Sequence, residues 1–233
     1  MIKTHEFNSN WWGEPVGIVT EAGFFDLPPE QHATLLEPYA WAEFKMPLER
    51  APVEPRLLQR AGFFQVDTQV NYRLRLTDLQ EPESLSGLDV EFADEVPFEV
   101  HTSEIRSFEH ERFLRLPGAT AERVDRRYAL WSRQYIQTHP ATCLRIIHAG
   151  KVQGWYLGDD TSGVGLNLTL AMLSRDAQIS GLLLFLRAYQ AFSASGHRLG
   201  WASFSVQNTP VHNIYAAIGA RFLNPTGHWF WIR

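Results

Sequence analysis

Asn208 and Tyr215 stand seven residues apart, where the sequence predicts the last strand-to-helix junction of the chain. Asn208 follows an apolar run and Pro210 comes two residues later. An Asn side chain caps the first free backbone N–H groups, and Pro early in a helix forfeits no hydrogen bond. Val211, Ile214, Tyr215 and Ile218 recur at three- and four-residue spacing and form one buried face, and Gly219 ends the helix. This holds the Tyr215 phenol at the seam between helix and sheet, where it can act as a positioned proton donor; the same spacing also suits a core aromatic. A second group lies upstream. Gln178-Ile179-Ser180-Gly181-Leu182-Leu183 precedes a strongly apolar helix and sits between two strands. A helix N-terminus behind a close-approaching loop offers phosphate its free N–H groups and the positive end of its dipole. The alternative is that Gly181 only permits a turn.

The other reactive residue types point to less. Cys143 has apolar neighbours in a strand pattern and reads as a packed thiol. His148, Asp159 and Asp160 lie near the central strands and are candidate bases, with structural or exposed roles as alternatives. The chain has 9 His but no His-Glu-x-x-His or paired-ligand spacing, so no metal is expected. With 21 basic against 26 acidic residues and no Lys/Arg cluster, nucleic-acid binding through phosphate neutralisation is disfavoured. The single cysteine excludes an intramolecular disulfide and fits a reducing compartment. The opening residues lack an apolar signal core and the apolar stretch 179–186 is too short to span a bilayer, so a cytoplasmic protein without membrane association is expected.

The elements that must position these groups follow from periodicity. A length of 233 residues with 45% hydrophobic content suits one large domain or two small ones. Residues 16–25 read as a strand and 30–44 as a helix kinked or split at Pro38; Pro47, Pro52 and Pro55 mark a loop. A helical turn over 56–61 closes at Gly62 before a long alternating strand, 64–76. That helix, Gly-Phe and strand echo 213–232 near the other end. Residues 77–87, rich in Asp, Glu, Pro, Ser and Gly, mark a linker, which divides the chain into 1–85 and 86–233. Val124, Tyr128, Trp131 and Tyr135 predict a helix over 120–139. Strands follow at 142–148, 152–158 and 163–173, the first two a hairpin turning at Gly150. A helix over 179–195 and a strand over 197–206 complete a β-β-β-α-β-α-β order.

At Asn208, Tyr215, Gly219 and Phe222 the chain resembles the last block of the GNAT N-acetyltransferases, Asn-x6-Tyr-x3-Gly followed by Phe. The similarity extends to Trp11-Trp12-Gly13, 58–63, Arg112-Phe113, Trp131, Cys143-Leu144-Arg145 and the aromatic end. Within the superfamily it is nearest to dTDP-fucosamine (4-amino-4,6-dideoxygalactose) N-acetyltransferase-like proteins. The resemblance implies an α/β (α+β) GNAT fold, a mixed central sheet flanked by helices. It gives 1–85 as an N-terminal half-GNAT-like β-α-β subdomain and 86–233 as the catalytic domain.

It further implies transfer of acetyl from acetyl-CoA to a small-molecule primary amine, such as that of a nucleotide-linked aminodeoxysugar. In that reading Leu173, Arg175, Gln178, Ser180, Gly181, Leu182 and Asn208 bind the CoA, and Tyr215 protonates the departing thiolate. Arg112, Phe113, Tyr128, Trp131 and His228 wall the acceptor pocket. The family loop reads Gln/Arg-x-x-Gly-x-Gly/Ala, and Leu183 replaces its last small residue. Relatives are often dimers, so a homodimer is expected. Other amine acceptors, and a non-catalytic acyl-CoA-binding module, stay open.

Overall fold

The computed structural model describes residues 1–78, 85–160 and 165–233. The strands are β1 (Ile2–Thr4), β2 (Val16–Val19), β3 (Trp41–Pro47), β4 (Phe64–Arg75), β5 (Leu88–Phe92), β6 (Cys143–His148), β7 (Lys151–Asp159), β8 (Leu166–Leu173), β9 (Leu199–Ser205) and β10 (Arg221–Ile232). The helices are α1 (Glu6–Trp12), α2 (Pro29–Leu36), α3 (Pro55–Arg60), α4 (Ala121–Thr138), α5 (Gly181–Ala194) and α6 (Thr209–Ala217). All ten strands join one mixed sheet in the order β1-β2-β3-β10-β4-β9-β8-β7-β6-β5. The α/β class and the order of the C-terminal elements are as the sequence predicts. The hairpin between β6 and β7 turns at Ala149 (φ 48°) and Gly150 (φ 73°), the two left-handed positions that match a twisted two-residue turn.

Two expectations are corrected. The strand expected over 16–25 stops at Val19, and Ala22–Asp26 is a 3-10 turn that buries Phe24 and Phe25. The helix expected over 30–44 ends at Leu36, ahead of Pro38, and Trp41–Pro47 forms β3 instead. Pro38 has no N–H to continue the helix and disfavours the helical backbone before it, which frees the following residues to pair with β2 and β10. The expected linker, 77–87, falls largely on 79–84, outside the described residues, as does the start of the strand expected over 163–173.

The two halves trace the same path. β1/β2 and β7/β8 are antiparallel, and β2/β3 and β8/β9 are parallel with α2 and α5 as their crossovers. α3 and α6 lead into β4 and β10, which pair antiparallel at the centre, each lying beside the other half's strand. The echo between 56–76 and 213–232 is this exchange of final strands. α1 and α4 cover one face, over a core that includes Trp11, Trp41, Phe113 and Phe230. On the other face α2 and α3 cover the Phe25–Phe44–Phe63 cluster, and α5 and α6 cover the one built on Tyr72, Tyr156, Phe185 and Phe204.

Candidate active site

The halves differ at their parallel strand pairs. β2 and β3 stay paired from Val16↔Trp41 to Val19↔Phe44. β8 and β9 pair at Leu166↔Gly200 and Asn167↔Trp201, and then diverge. The closed end is tight: a Cβ on Gly200 would lie 2.5 Å from Leu168 Cδ1. The divergence begins at a bulge, where two steps on β7 (Leu157 to Asp159) face three on β8 (Leu170 to Asn167). An extra residue bends the bulged strand away from its neighbour. It also switches faces, so Leu166 and Leu168 join the α5 side while Leu170 and Met172 pack toward α4.

Beyond the bulge, β8 turns backbone groups toward the opening. Leu173 O accepts from Arg106 N there (3.0 Å), and alternation points the Ala171 N–H and C=O to the same side. Arg175 N donates to Glu104 O (2.7 Å), so the backbone groups of Leu173 and Arg175 are partly engaged by segment 104–106. An extended ligand arm in the opening uses the Ala171 groups or displaces that segment.

α5 starts at the end of this opening. Ser180 is its N-cap, with Oγ accepting from Leu183 N at 3.4 Å. The preceding loop is fixed from below by Gln153, a fully buried residue at a bulge of β7. Its backbone carbonyl accepts from Ser174 N (2.8 Å) and its side-chain Oε1 from Gln178 N (2.7 Å). Gln178 and Ser180 are exposed and Gly181 and Leu182 half-buried at the helix start. Leu183 packs against the Tyr72–Phe204 core. Nothing in the sequence marked Gln153.

Below the opening, on the α5/α6 face, Asn208 caps α6 by accepting from Val211 N (3.2 Å), and Tyr215 points inward. Its ring lies against Tyr72, Phe204 and Phe185, and its hydroxyl accepts from Tyr72 at 2.8 Å. Burial raises its pKa.

The opposite face carries a polar row, one residue from each of four adjacent strands. Lys45 pairs with His228, His228 pairs with Asp67, and Asp67 Oδ1 accepts from Ser205 Oγ at 2.6 Å. Asp67 is aimed here by another bulge, since Gln65 to Asp67 on β4 faces a single step from Trp229 to His228 on β10. Asp67, Ser205, Gln207, Glu109, Arg112 and Arg115 line a 230 Å³ cavity above this row. Burial raises the Asp67 pKa, against the hydrogen bond from Ser205. Arg112 pairs with Glu111 (3.6 Å), which also accepts from the Tyr128 hydroxyl. Of the residues expected to wall the acceptor pocket, Arg112 lines this cavity, Tyr128 reaches it only through Glu111, and His228 lies beside Asp67 in the row rather than in the cavity wall. Phe113 is fully buried behind it against Trp11 and Phe230, and Trp131 is half-buried on α4 beside Tyr128.

The other candidate bases lie elsewhere. Asp159 accepts from Tyr135 and Asn167, and His148 Nδ1 contacts Gly87 O near the hairpin. Cys143 is buried, its pKa pushed up to about 12 by burial. Among the described residues, no cluster of three or more His, Cys, Asp or Glu could hold a metal, and no helix is long and apolar enough to cross a membrane.

His228 makes the fold sensitive to acid. It is 3% exposed, and burial, then Arg112 and Lys45, push its pKa down to about 2. In the unfolded chain a His takes a proton near pH 6.5. Stability is therefore present above pH 6.5 and lost as pH falls toward 2, because only the unfolded state binds the proton. Between pH 7.5 and 4.5 the expected loss from this residue is on the order of 2–3 kcal/mol. Urea unfolding of wild type and His228→Asn at both pH values measures it; equal losses in the two proteins would refute it.

No family model matches this sequence, and no curated protein does. Solved structures match the fold. A GCN5-related N-acetyltransferase from Sphaerobacter thermophilus is 17% identical with a TM-score of 0.53, over 82% of this chain and 59% of that one. This chain thus spans less than two thirds of that protein. A tandem GNAT protein from the clavulanic acid biosynthesis pathway is 11% identical with a TM-score of 0.54, over 94% of this chain and 76% of its own. A GCN5-related N-acetyltransferase from Kribbella flavida is 16% identical with a TM-score of 0.52, over 93% and 80%. The fold is that of the GNAT N-acetyltransferases.

Proposed function

We propose that this protein is an acetyl-CoA-dependent N-acetyltransferase, acting in the cytoplasm on a small polar primary amine. The observation that carries this reading is the opening between β8 and β9, which leads to the capped start of α5 at one end and separates Tyr215 from Asp67 across the sheet. The residues fit acetyl-CoA: the α5 N-terminus and its loop suit a pyrophosphate, and the Ala171 backbone groups of β8, next to the part that segment 104–106 engages, suit an amide-bearing arm. Acetyl-CoA supplies an activated acetyl group as a thioester. Asp67 takes the proton that the acceptor ammonium must lose, Ala171 N–H polarises the acyl oxygen, and Tyr215 gives its proton to the departing sulfur.

The cavity volume of 230 Å³ lies below the roughly 300–1,000 Å³ that encloses a drug-sized ligand, so an amino acid or one sugar ring is the natural occupant. A nucleotide-linked aminodeoxysugar enters sugar first in this reading, its nucleotide staying outside near Arg115. Calorimetry with acetyl-CoA, followed by thiol release with amino acids, free aminosugars and nucleotide-linked aminosugars, tests the proposal. Binding with turnover on one class supports it. Binding without turnover on any class favours an acyl-CoA-binding module, and absent binding ends the reading.

Gln153→Ala should weaken acetyl-CoA binding about tenfold, because Gln178 N loses its buried acceptor and the loop before α5 loses its support. An unchanged Kd would remove Gln153 from the site.

A further inference from the structure

Tyr215 does not stand alone. Four phenols, one each from β4, β7, α5 and α6, meet in the core beneath the opening. Tyr72 donates to Tyr215 at 2.8 Å, Tyr72 and Tyr189 lie 3.5 Å apart, and Tyr189 and Tyr156 are 2.7 Å apart. Tyr72, Tyr156 and Tyr189 are fully buried and Tyr215 is 4% exposed. A hydrophobic core gains nothing from four hydroxyls unless they satisfy one another, since each unpaired buried hydroxyl costs free energy. Phenylalanine at all four positions fills the same space without that demand.

We infer that Tyr72, Tyr189 and Tyr156 are positioning residues that set the acidity of Tyr215 by stabilising its phenolate. This rests on the acyl-transfer reading. In that reaction the acceptor's free amine forms a C–N bond as the C–S bond breaks, the C–S electron pair goes to sulfur, and the nitrogen releases its excess proton to solvent. The Tyr215 proton follows the electron pair, leaving a phenolate in the core, and solvent returns the proton after release of the thiol. That phenolate accepts from Tyr72, whose oxygen faces Tyr189, itself bonded to Tyr156. The row of hydroxyls ends at Tyr156, fully buried among Phe185, Tyr189 and Phe192, so it holds charge and does not lead a proton to the surface.

The direction of donation agrees. Tyr72 donates to Tyr215, which leaves the Tyr215 proton free to leave. Burial raises all four pKa values, those of Tyr72, Tyr156 and Tyr189 well above the ordinary phenol range. In Tyr215 alone every hydroxyl contact opposes the rise. The groups facing Tyr215 are Tyr72 from β4, Tyr156 from β7, Tyr189 and Phe185 from α5 and Phe204 from β9; no charged side chain contributes to its shift.

The test places 3-fluorotyrosine at position 215 of the full chain and follows its fluorine resonance against pH. Fluorination lowers the phenol pKa, bringing the transition within reach of the folded protein. In Tyr72→Phe the midpoint should rise by about one to two pH units, the loss of one charge-assisted hydrogen bond. In Tyr156→Phe, which acts through its neighbours, the rise should be smaller; Tyr189→Phe serves if either fails to fold. In the unlabelled Tyr72→Phe enzyme the alkaline limb of kcat should move up with the midpoint while KM for acetyl-CoA holds. A midpoint unmoved in every variant overturns the network, whatever the activity. A moved midpoint in a protein that releases no thiol with any acceptor overturns the acyl-transfer reading and leaves the network standing.

Discussion

Replacing Tyr215 with phenylalanine is expected to lower kcat about 10²- to 10⁴-fold, the usual contribution of a positioned proton donor. The departing thiolate has a conjugate acid of pKa about 8.5, and a phenol ordinarily titrates near 10. The transfer is slightly uphill in water and becomes useful only if the phenolate is stabilised where it forms. Burial pushes the Tyr215 phenol further up, and the Tyr72 hydroxyl, donating to its oxygen at 2.8 Å, works against that rise. Phenylalanine keeps the ring contacts with Tyr72, Phe204 and Phe185, so KM for acetyl-CoA should stay within about twofold, and the loss should fall on kcat. Steady-state kinetics with acetyl-CoA and with a thioester of a more acidic thiol give the decisive comparison. A better leaving group needs less help, so the defect should shrink with it. A defect of equal size with both thioesters would mean that Tyr215 shapes the site without donating a proton.

Much of the C-terminal half was legible because its signals are local. Asn208 and Pro210 fix the start of α6 through contacts within three residues, and the 4, 3, 4 spacing from Val124 to Tyr135 specifies the face of α4. Ala149 and Gly150 define their own turn. The residues around 35–47 misled for an equally physical reason. Leu35, Leu36, Tyr39 and Ala40 mimic a helical face, while the β3 pattern contains Glu43 and Lys45, charged groups that read as solvent-facing. Both lie on the same face as His228, where Glu43 is 2% exposed while Lys45 stays exposed. β3 is held by β2 and β10, and β10 lies some 180 residues away in sequence, a pairing no local window can contain.

Asp67 was hidden in the same way. Between Gln65 and Gln69 it looks like one more polar residue on the outer side of an alternating strand. Its aim depends on a bulge against His228 and Trp229, and its partner Ser205 comes from β9. Both relations exist only once strands from opposite ends of the chain lie together. The bulge on β8 that opens the sheet is likewise a difference in residue count between two strands, visible only in their register. Residue types could nominate Tyr215 and the loop before α5; they could not reveal what faces them across the sheet.

Asp67→Asn is expected to lower kcat/KM for the acceptor about 10²- to 10³-fold near pH 7, and the pH dependence identifies the cause. The substitution keeps the shape and an oxygen for the Ser205 hydroxyl, so the cavity should survive, but the amide cannot accept a proton. Burial raises the Asp67 pKa, so wild-type activity should fall as pH drops through a midpoint above the ordinary carboxylate value, where the base becomes protonated. The asparagine variant has no such group. Its rate should depend on the fraction of acceptor already present as free amine, which grows tenfold per pH unit until the amine's own pKa, about 10 for an alkyl amine. The two activities should therefore converge as pH rises from 6 toward 9.5. A constant ratio over that range would show that Asp67 orients the acceptor and that its proton leaves by another route. Convergence would assign the two proton transfers to opposite faces of one opened sheet, with Asp67 supplied by the N-terminal half and Tyr215 by the C-terminal half. The exchange of β4 and β10 would then do more than join the halves: by lying against β9, β4 brings the base to a site that the C-terminal half alone leaves incomplete.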